Sequence, residues 1–407
     1  MKKLFVVATL LLCAFALRPA NAMDVWYQPT PYPEKKWDGS PMPADLAIRH
    51  FWEGWLSSQY QPQLQQDDKL QIGGWNDLYL SFIKFDLAGL PQSADYAVVY
   101  LMPYSRGDGS TSTPFASCSD VGTWDLSLQW NPNKYYYSCR YWYSAPTAGT
   151  WTGFWLEYPG FVDWYNQWKN GTLANEGIAV IPKLNNNNFD VFRSSRYSDY
   201  VSDPYADGKR PMLYLSITPT LQLKMPLPGN HSWLVTTEIG GWDCKGTYDQ
   251  YHDGTNYFSV DFSWKNNHDN GATVYAESSN IPVIAAAGGT VSVHPGDPSN
   301  GNYVVVTHGS SGFTTRYLHL DSIAVSDGAS VSQGGILGYM GNTGLSDGKH
   351  LHFGVRYNND GSSNVANLTK VVMDGWLLKS FQTECTVDGN GVPQTWNRYY
   401  RSGNTVY

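Results

Sequence analysis

Apolar positions along this chain fall in short runs rich in β-branched and aromatic residues, as in Ala97-Val98-Val99-Tyr100-Leu101 and Tyr303-Val304-Val305-Val306-Thr307. Runs of this kind predict strands, and turn pairs such as Asp108-Gly109 and Asp347-Gly348 separate them. One helix is predicted, from Gly160 to Asn170, where Phe161, Trp164, Tyr165 and Trp168 recur at helical spacing. The first half closes on a strand at Arg210-Pro211-Met212-Leu213-Tyr214-Leu215-Ser216-Ile217. Thr218-Pro219-Thr220 then marks a boundary, and a second unit opens at Met225-Pro226-Leu227-Pro228-Gly229. The expected fold is mainly β. It comprises an antiparallel, jelly-roll-like β-sandwich over 23–219 and a compact antiparallel β-sheet domain over 225–407.

The N-terminus reads differently. Lys2 and Lys3 precede an apolar run from Leu4 to Leu17, and Ala20-Asn21-Ala22 supplies a small-x-small cleavage pattern. This predicts a signal peptide over 1–22, cut after Ala22, and an extracellular or periplasmic destination. The run is too short for a membrane span, and no later segment is apolar enough for one. The chain carries 27 basic and 35 acidic residues, net −8, and the leader's Lys2, Lys3 and Arg18 leave the remainder more acidic still. Nucleic-acid binding, which needs a basic footprint, is thereby disfavoured. Of five cysteines, Cys13 goes with the leader. Proximity and domain membership favour Cys118–Cys139 and Cys244–Cys385 among the three pairings open to the other four.

The residues with chemistry in them lie between His252 and His352. In a strand, His350-Leu351-His352-Phe353 turns both imidazoles to one face and Leu351 and Phe353 to the core. Asp261 lies in a second strand-like run, Ser259-Val260-Asp261-Phe262, with His252 upstream in Tyr251-His252-Asp253-Gly254. Two imidazoles and a carboxylate suit Zn²⁺ with a fourth position left open. None of the nine histidines is followed by Glu, so the helical His-Glu-x-x-His arrangement is absent. Any general acid or base must be sought elsewhere. His319, in Arg316-Tyr317-Leu318-His319-Leu320, and His350 are the natural pair, because imidazole titrates near neutrality.

The segment over 227–357 resembles the lysostaphin-like and β-lytic zinc endopeptidases, peptidase family M23. The resemblance runs through Leu227-Pro228, Ser232-Trp233, the stretch Val283 to Val291, Tyr317-Leu318-His319-Leu320, Asp327 to Val331, Gly338 to Gly344 and His350-Leu351-His352-Phe353. It implies zinc held by His252, Asp261 and His352, with His319 and His350 catalytic. Eight residues separate His252 from Asp261; the lysostaphin branch has three there, and the longer loop is similar to the β-lytic branch. His231 and His268 are the rivals for the first ligand position. The implied activity is hydrolysis of peptidoglycan cross-bridges or glycine-rich peptides, with Trp264, Tyr317 and Tyr339 narrowing the groove.

More diffusely, the first half resembles DNRLRE-type carbohydrate-binding modules, through Leu70 to Gly74, Ile83 to Leu87, Asn175 to Val180 and Arg210 to Leu213. That implies a sandwich with a glycan ligand. The alternative function is a non-catalytic wall- or glycan-binding protein, such as an amidase activator or adhesin. Such relatives usually lose ligands, and this chain keeps them. His50, His294 and His308 read as surface or hydrogen-bonding residues, and Trp151, Trp155, Trp164 and Trp168 as core.

Overall fold

A computed structural model describes residues 21–28, 40, 51–57, 65, 67–74, 78–106, 114–118, 149, 151–158, 162–175, 177–182, 188–194, 210–229, 231–241, 247–269, 272–273, 275–358, 365–381, 385–387, 393–396 and 399–401. The expected signal peptide, apart from Asn21 and Ala22, lies outside these residues, as do His50, Cys139, Cys244 and the side chains of Cys118 and Cys385. The disulfide expectation therefore falls outside them too.

The first half is a two-sheet sandwich. Met23–Tyr27, Tyr96–Leu101, Thr152–Trp155 and Met212–Ile217 lie in one sheet. Phe51–Ser57, Lys69–Gly74, Tyr79–Phe85, Pro103–Arg106, Pro114–Cys118, Ile178–Pro182 and Asn188–Arg193 form the other. Alternate residues point inward, so Val25, Val99, Leu213 and Leu215 meet Leu70, Ile72, Ile83 and Phe192 between the sheets. The helix runs from Trp164 to Asn170, shorter than the spacing predicts, because Val162–Asp163 pairs with Glu157–Tyr158 as a small ribbon. Trp164 and Tyr165 are buried as core residues, and the Tyr165 hydroxyl donates to Pro91 O.

The first sheet does not stop at the sandwich. Trp26 pairs in parallel with Trp376, and Trp376–Leu377, Val371–Met373 and Leu221–Leu223 continue the sheet outward. Period-two alternation splits the added strand between two cores. Val371 and Met373 pack into the C-terminal core, while Val372 packs into the sandwich core with Leu377. Lys379 Nζ reaches Asp86 at 3.4 Å and donates to Ala88 O, and Ser380 Oγ donates to Trp26 O at 3.1 Å.

The second half is built on an antiparallel sheet. Its order is Ser330–Val331, Gly289–Asp297, Gly301–Thr307, Phe313–Ile323, His350–Tyr357, Ser259–Asp269, Ser232–Thr237 and Tyr399–Arg401. One face carries Val260, Phe262, Tyr317, Leu351, Phe353 and Val355 into the core. The other carries Asp261, His350 and His352.

A chain of buried polar groups fastens the segment before Gly289 to this sheet. His308 Nδ1 donates to Gly288 O at 2.9 Å, and its Nε2 accepts from Thr315 Oγ1 at 3.0 Å. Thr315 in turn accepts from the Tyr317 hydroxyl at 2.9 Å, which accepts from Ala286 N at 2.8 Å. The chain needs neutral His308. Burial holds the His308 pKa below its usual value, against the opposing pull of Gly288 O. The folded value thus lies below the unfolded one. The stability contributed is whole above about pH 6.5 and declines as the pH falls toward the folded value. His308→Phe should cost about 1–3 kcal/mol at pH 7.5, by leaving buried partners unpaired. Urea midpoints at pH 7.5 and 5.5 check this: the loss on acidification should be smaller in the variant than in the parent.

Candidate metal centre

Strand register sets the centre. Asp261 lies directly opposite His352, and Ser263 opposite His350. Leu318 flanks His352 on the other side. His252 arrives from above the sheet, on the short 3₁₀ turn Gln250–His252, followed by a second turn, Gly254–Asn256. Each turn is capped by the aspartate before it: Asp249 accepts from Tyr251 N and Asp253 from Gly254 N. This explains the alternation of Asp and turn-forming residues around His252. Gly241, at φ +82°, lets the loop pass close, since a Cβ there would lie 2.3 Å from Asp249 O.

The three expected ligands converge in a buried pocket, their ligand atoms all within 4.8 Å of one another. His252 Nε2 lies 3.0 Å from Asp261 Oδ2, and His352 Nδ1 lies 3.1 Å from Asp261 Oδ1. His252 Nδ1 meets Ser259 O at 3.0 Å and must be the protonated nitrogen there. A neutral His252 then turns an Nε2 lone pair onto a carboxylate oxygen. Asp261 Oδ1 accepts no hydrogen bond although it is buried. Lone pairs facing one another at these separations are what a cation between them relieves, so the donor set fits Zn²⁺.

Electrostatics show the same demand. For Asp261, burial alone would raise the carboxyl pKa, but His252 and His350 outweigh it and hold the group well below the usual range. Burial would lower His252, yet Asp261 leaves it raised. His352 is pushed down to about 4 by burial and by the neighbouring His252.

His319 and His350 stand beside this trio with ring centroids 4.8 Å apart. His350 Nδ1 donates to Gly348 O at 2.8 Å, and its Nε2 lies 3.8 Å from Asp261 Oδ1. His319 Nδ1 donates to Thr343 O at 2.8 Å. Both rings thus keep Nε2 as a free acceptor. His319 sits at φ +63°, left-handed for a non-glycine, where pairing with Gly301–Thr307 shifts register between Val304 opposite Tyr317 and Asn302 opposite Leu320. Leu318 already faces the site, so plain alternation would send His319 into the core; the irregularity returns it to the site face. Gly301, at φ +67°, admits the close approach of Thr343 that holds this corner.

The centre floors an open cleft of about 860 Å³. Trp264 lines it as expected, but Tyr317 and Tyr339 do not. Tyr317 is fully buried opposite Phe353, with its hydroxyl in the His308 chain. The exposed rim residues are instead Tyr248, Tyr251 and Leu345, from loops whose sequence carries no periodic signal. Asp249, also in the lining, stands 3.9 Å from His252 Nε2 and was not legible as a site residue. Of the rival ligands, His231 packs edge-on against Tyr275 with centroids 5.4 Å apart. His268 pairs opposite Ser232, well along the strand from Asp261, and its side chain lies outside the described residues. His294 stacks on Tyr303.

Buried His252, Asp261 and His352, a group that could hold a metal ion, thus stand beside the imidazoles of His319 and His350. Residues 268–364 match the family model for peptidase family M23, so the C-terminal region carries an M23 domain. That match takes in His319, His350 and His352 and begins beyond His252 and Asp261. The peptidoglycan DD-endopeptidase ShyA of Vibrio cholerae is 43% identical over 81 residues, which cover 20% of this chain and 19% of that one. The DD-carboxypeptidase/endopeptidase Mpg of Neisseria meningitidis is 36% identical over 84 residues, covering 21% and 19%. The chain spans about a fifth of the length of the curated relatives it matches. A solved zinc-containing peptidase from Vibrio cholerae is 26% identical, covers 34% of this chain and 40% of its own, and superimposes with a TM-score of 0.24.

Proposed function

We propose that the protein is a secreted zinc endopeptidase that hydrolyses peptide bonds in bacterial peptidoglycan cross-bridges. The observation that carries this is the meeting of Asp261, His352, His319 and His350 on the floor of one open cleft, with buried His252 against Asp261. Bound zinc would polarise the scissile carbonyl and acidify a water. His252, Asp261 and His352 would hold it, and His319 and His350 would take and return the proton through Nε2. The leader-like N-terminus supports export, and the sandwich is read as a glycan-binding module that brings the enzyme to the wall. Digesting purified peptidoglycan with the full chain, with and without chelator, tests the reading. New fragments identified by mass spectrometry as cleaved cross-links are expected, and intact walls under both conditions would refute it.

Glycine at the scissile bond is the favoured specificity, because a bare backbone approaches the cleft floor most closely. A pentaglycine peptide should be cut faster than an alanine-bridged peptide of equal length, and the reverse order by chromatographic assay would overturn this preference. The names of the Vibrio and Neisseria relatives favour a second reading, in which the bond is a DD cross-link. The same mass spectra separate the two.

A further inference from the structure

The face of the sheet that carries the metal centre continues past it. His352 is opposite Leu318, Gly354 opposite Arg316, and Arg356 opposite Thr314. Arg316 and Arg356 thus share the site face, two to four residues beyond His352. Strand rise places them about 7–13 Å from it. Arg316 lies over the Tyr303 ring at 5.2 Å, and Tyr303 is stacked on His294 with centroids 4.4 Å apart, so an aromatic pair supports the guanidinium from behind. Arg356 Nη2 donates to Asn256 Oδ1, and Asn256 lines the cleft.

No carboxylate among the described residues pairs with either guanidinium. Arg356 Nε is buried and has no hydrogen-bond partner. Asp297, which senses Arg316, already accepts from Ser299 N and Asn300 N through Oδ1. Arg356 is pushed down to about 10 by burial and then by its neighbour Arg316, a strain that an anion would relieve. In a chain of net charge −8, two neighbouring arginines without a bonded carboxylate, one of them held by Asn256 at the edge of the cleft, stand out.

We propose that Arg316 and Arg356 form a carboxylate-binding subsite at the edge of the cleft, beside Asn256. It would grip an acidic group on the peptide substrate about two to four residues from the bond being cut. The inference rests on the peptidase reading and adds the substrate's charge to it. Guanidinium matches carboxylate geometry, and an anion bound here would offset the repulsion between the two arginines.

The test uses the full chain with zinc and cross-linked muropeptide dimers. One batch keeps its free carboxylates and a second is amidated with carbodiimide and ammonia. The parent should prefer the free form by roughly tenfold or more in kcat/KM, chiefly through KM. Arg316→Gln should abolish that preference, and Arg316→Lys should restore part of it. Equal cleavage of both dimers by the parent would overturn the subsite and leave the peptidase reading intact. A preference unchanged in Arg316→Gln would do the same. Cleavage of neither dimer would remove the peptidase reading and this inference with it.

Discussion

Asp261→Ala should lose its metal and its activity together. Asp261 is the one carboxylate of the proposed ligand trio, buried, and touched from two sides by His252 and His352. Without it, two imidazoles with centroids 4.6 Å apart face each other with no anion to offset a dication. Elemental analysis of the purified variant should find no stoichiometric zinc, and hydrolysis should be undetectable. A second readout needs no substrate. Metal that binds only the folded chain adds stability as RT ln(1 + L/Kd), rising with the free metal concentration L. Chelation should therefore lower the unfolding midpoint of the parent and leave that of Asp261→Ala unmoved. A variant that keeps one zinc per chain would show the ligand assignment to be wrong.

Much of this centre was legible because it obeys the two-residue period of a strand. His350 and His352 reach one face while Leu351 and Phe353 reach the core, as the sequence suggests. Asp261 follows the same rule between Val260 and Phe262. Where the period fails, imidazole chemistry and the family resemblance pointed to the residue, not the strand pattern: His319 should point inward by alternation and is turned back by its left-handed backbone at a register shift. Applying the period more strictly would have removed Tyr317 from the groove, since it alternates with Arg316 and Leu318. Tyr248, Asp249 and Tyr251 could not be found this way. They sit on turns whose place depends on Gly241 and on the two aspartate caps, all tertiary matters. The continuation of the sandwich sheet through Trp376 was equally hidden. A two-residue strand more than 300 positions from its partner leaves no local pattern.

His319 and His350 should each prove dispensable for zinc and costly for rate. Both donate through Nδ1 to a backbone carbonyl, Thr343 O or Gly348 O, so each presents Nε2 as an acceptor toward the cleft. Burial, and then the neighbouring His350, lowers the His319 pKa, so that ring is neutral at pH 7 and fitted to receive a proton. Loss of a positioned acid or base typically costs about 10²–10⁴ in rate. His350→Ala should fall in that range in kcat while elemental analysis still finds one zinc. The test at 319 should use His319→Asn, because Asn tolerates a left-handed backbone better than alanine and so leaves the corner at φ +63° in place. The double variant should be little slower than the worse single one, since groups that move one proton act as a unit. Two outcomes would count against this assignment. Full additivity would mean that the imidazoles act in separate steps, and loss of zinc from either single variant would make that histidine a metal ligand.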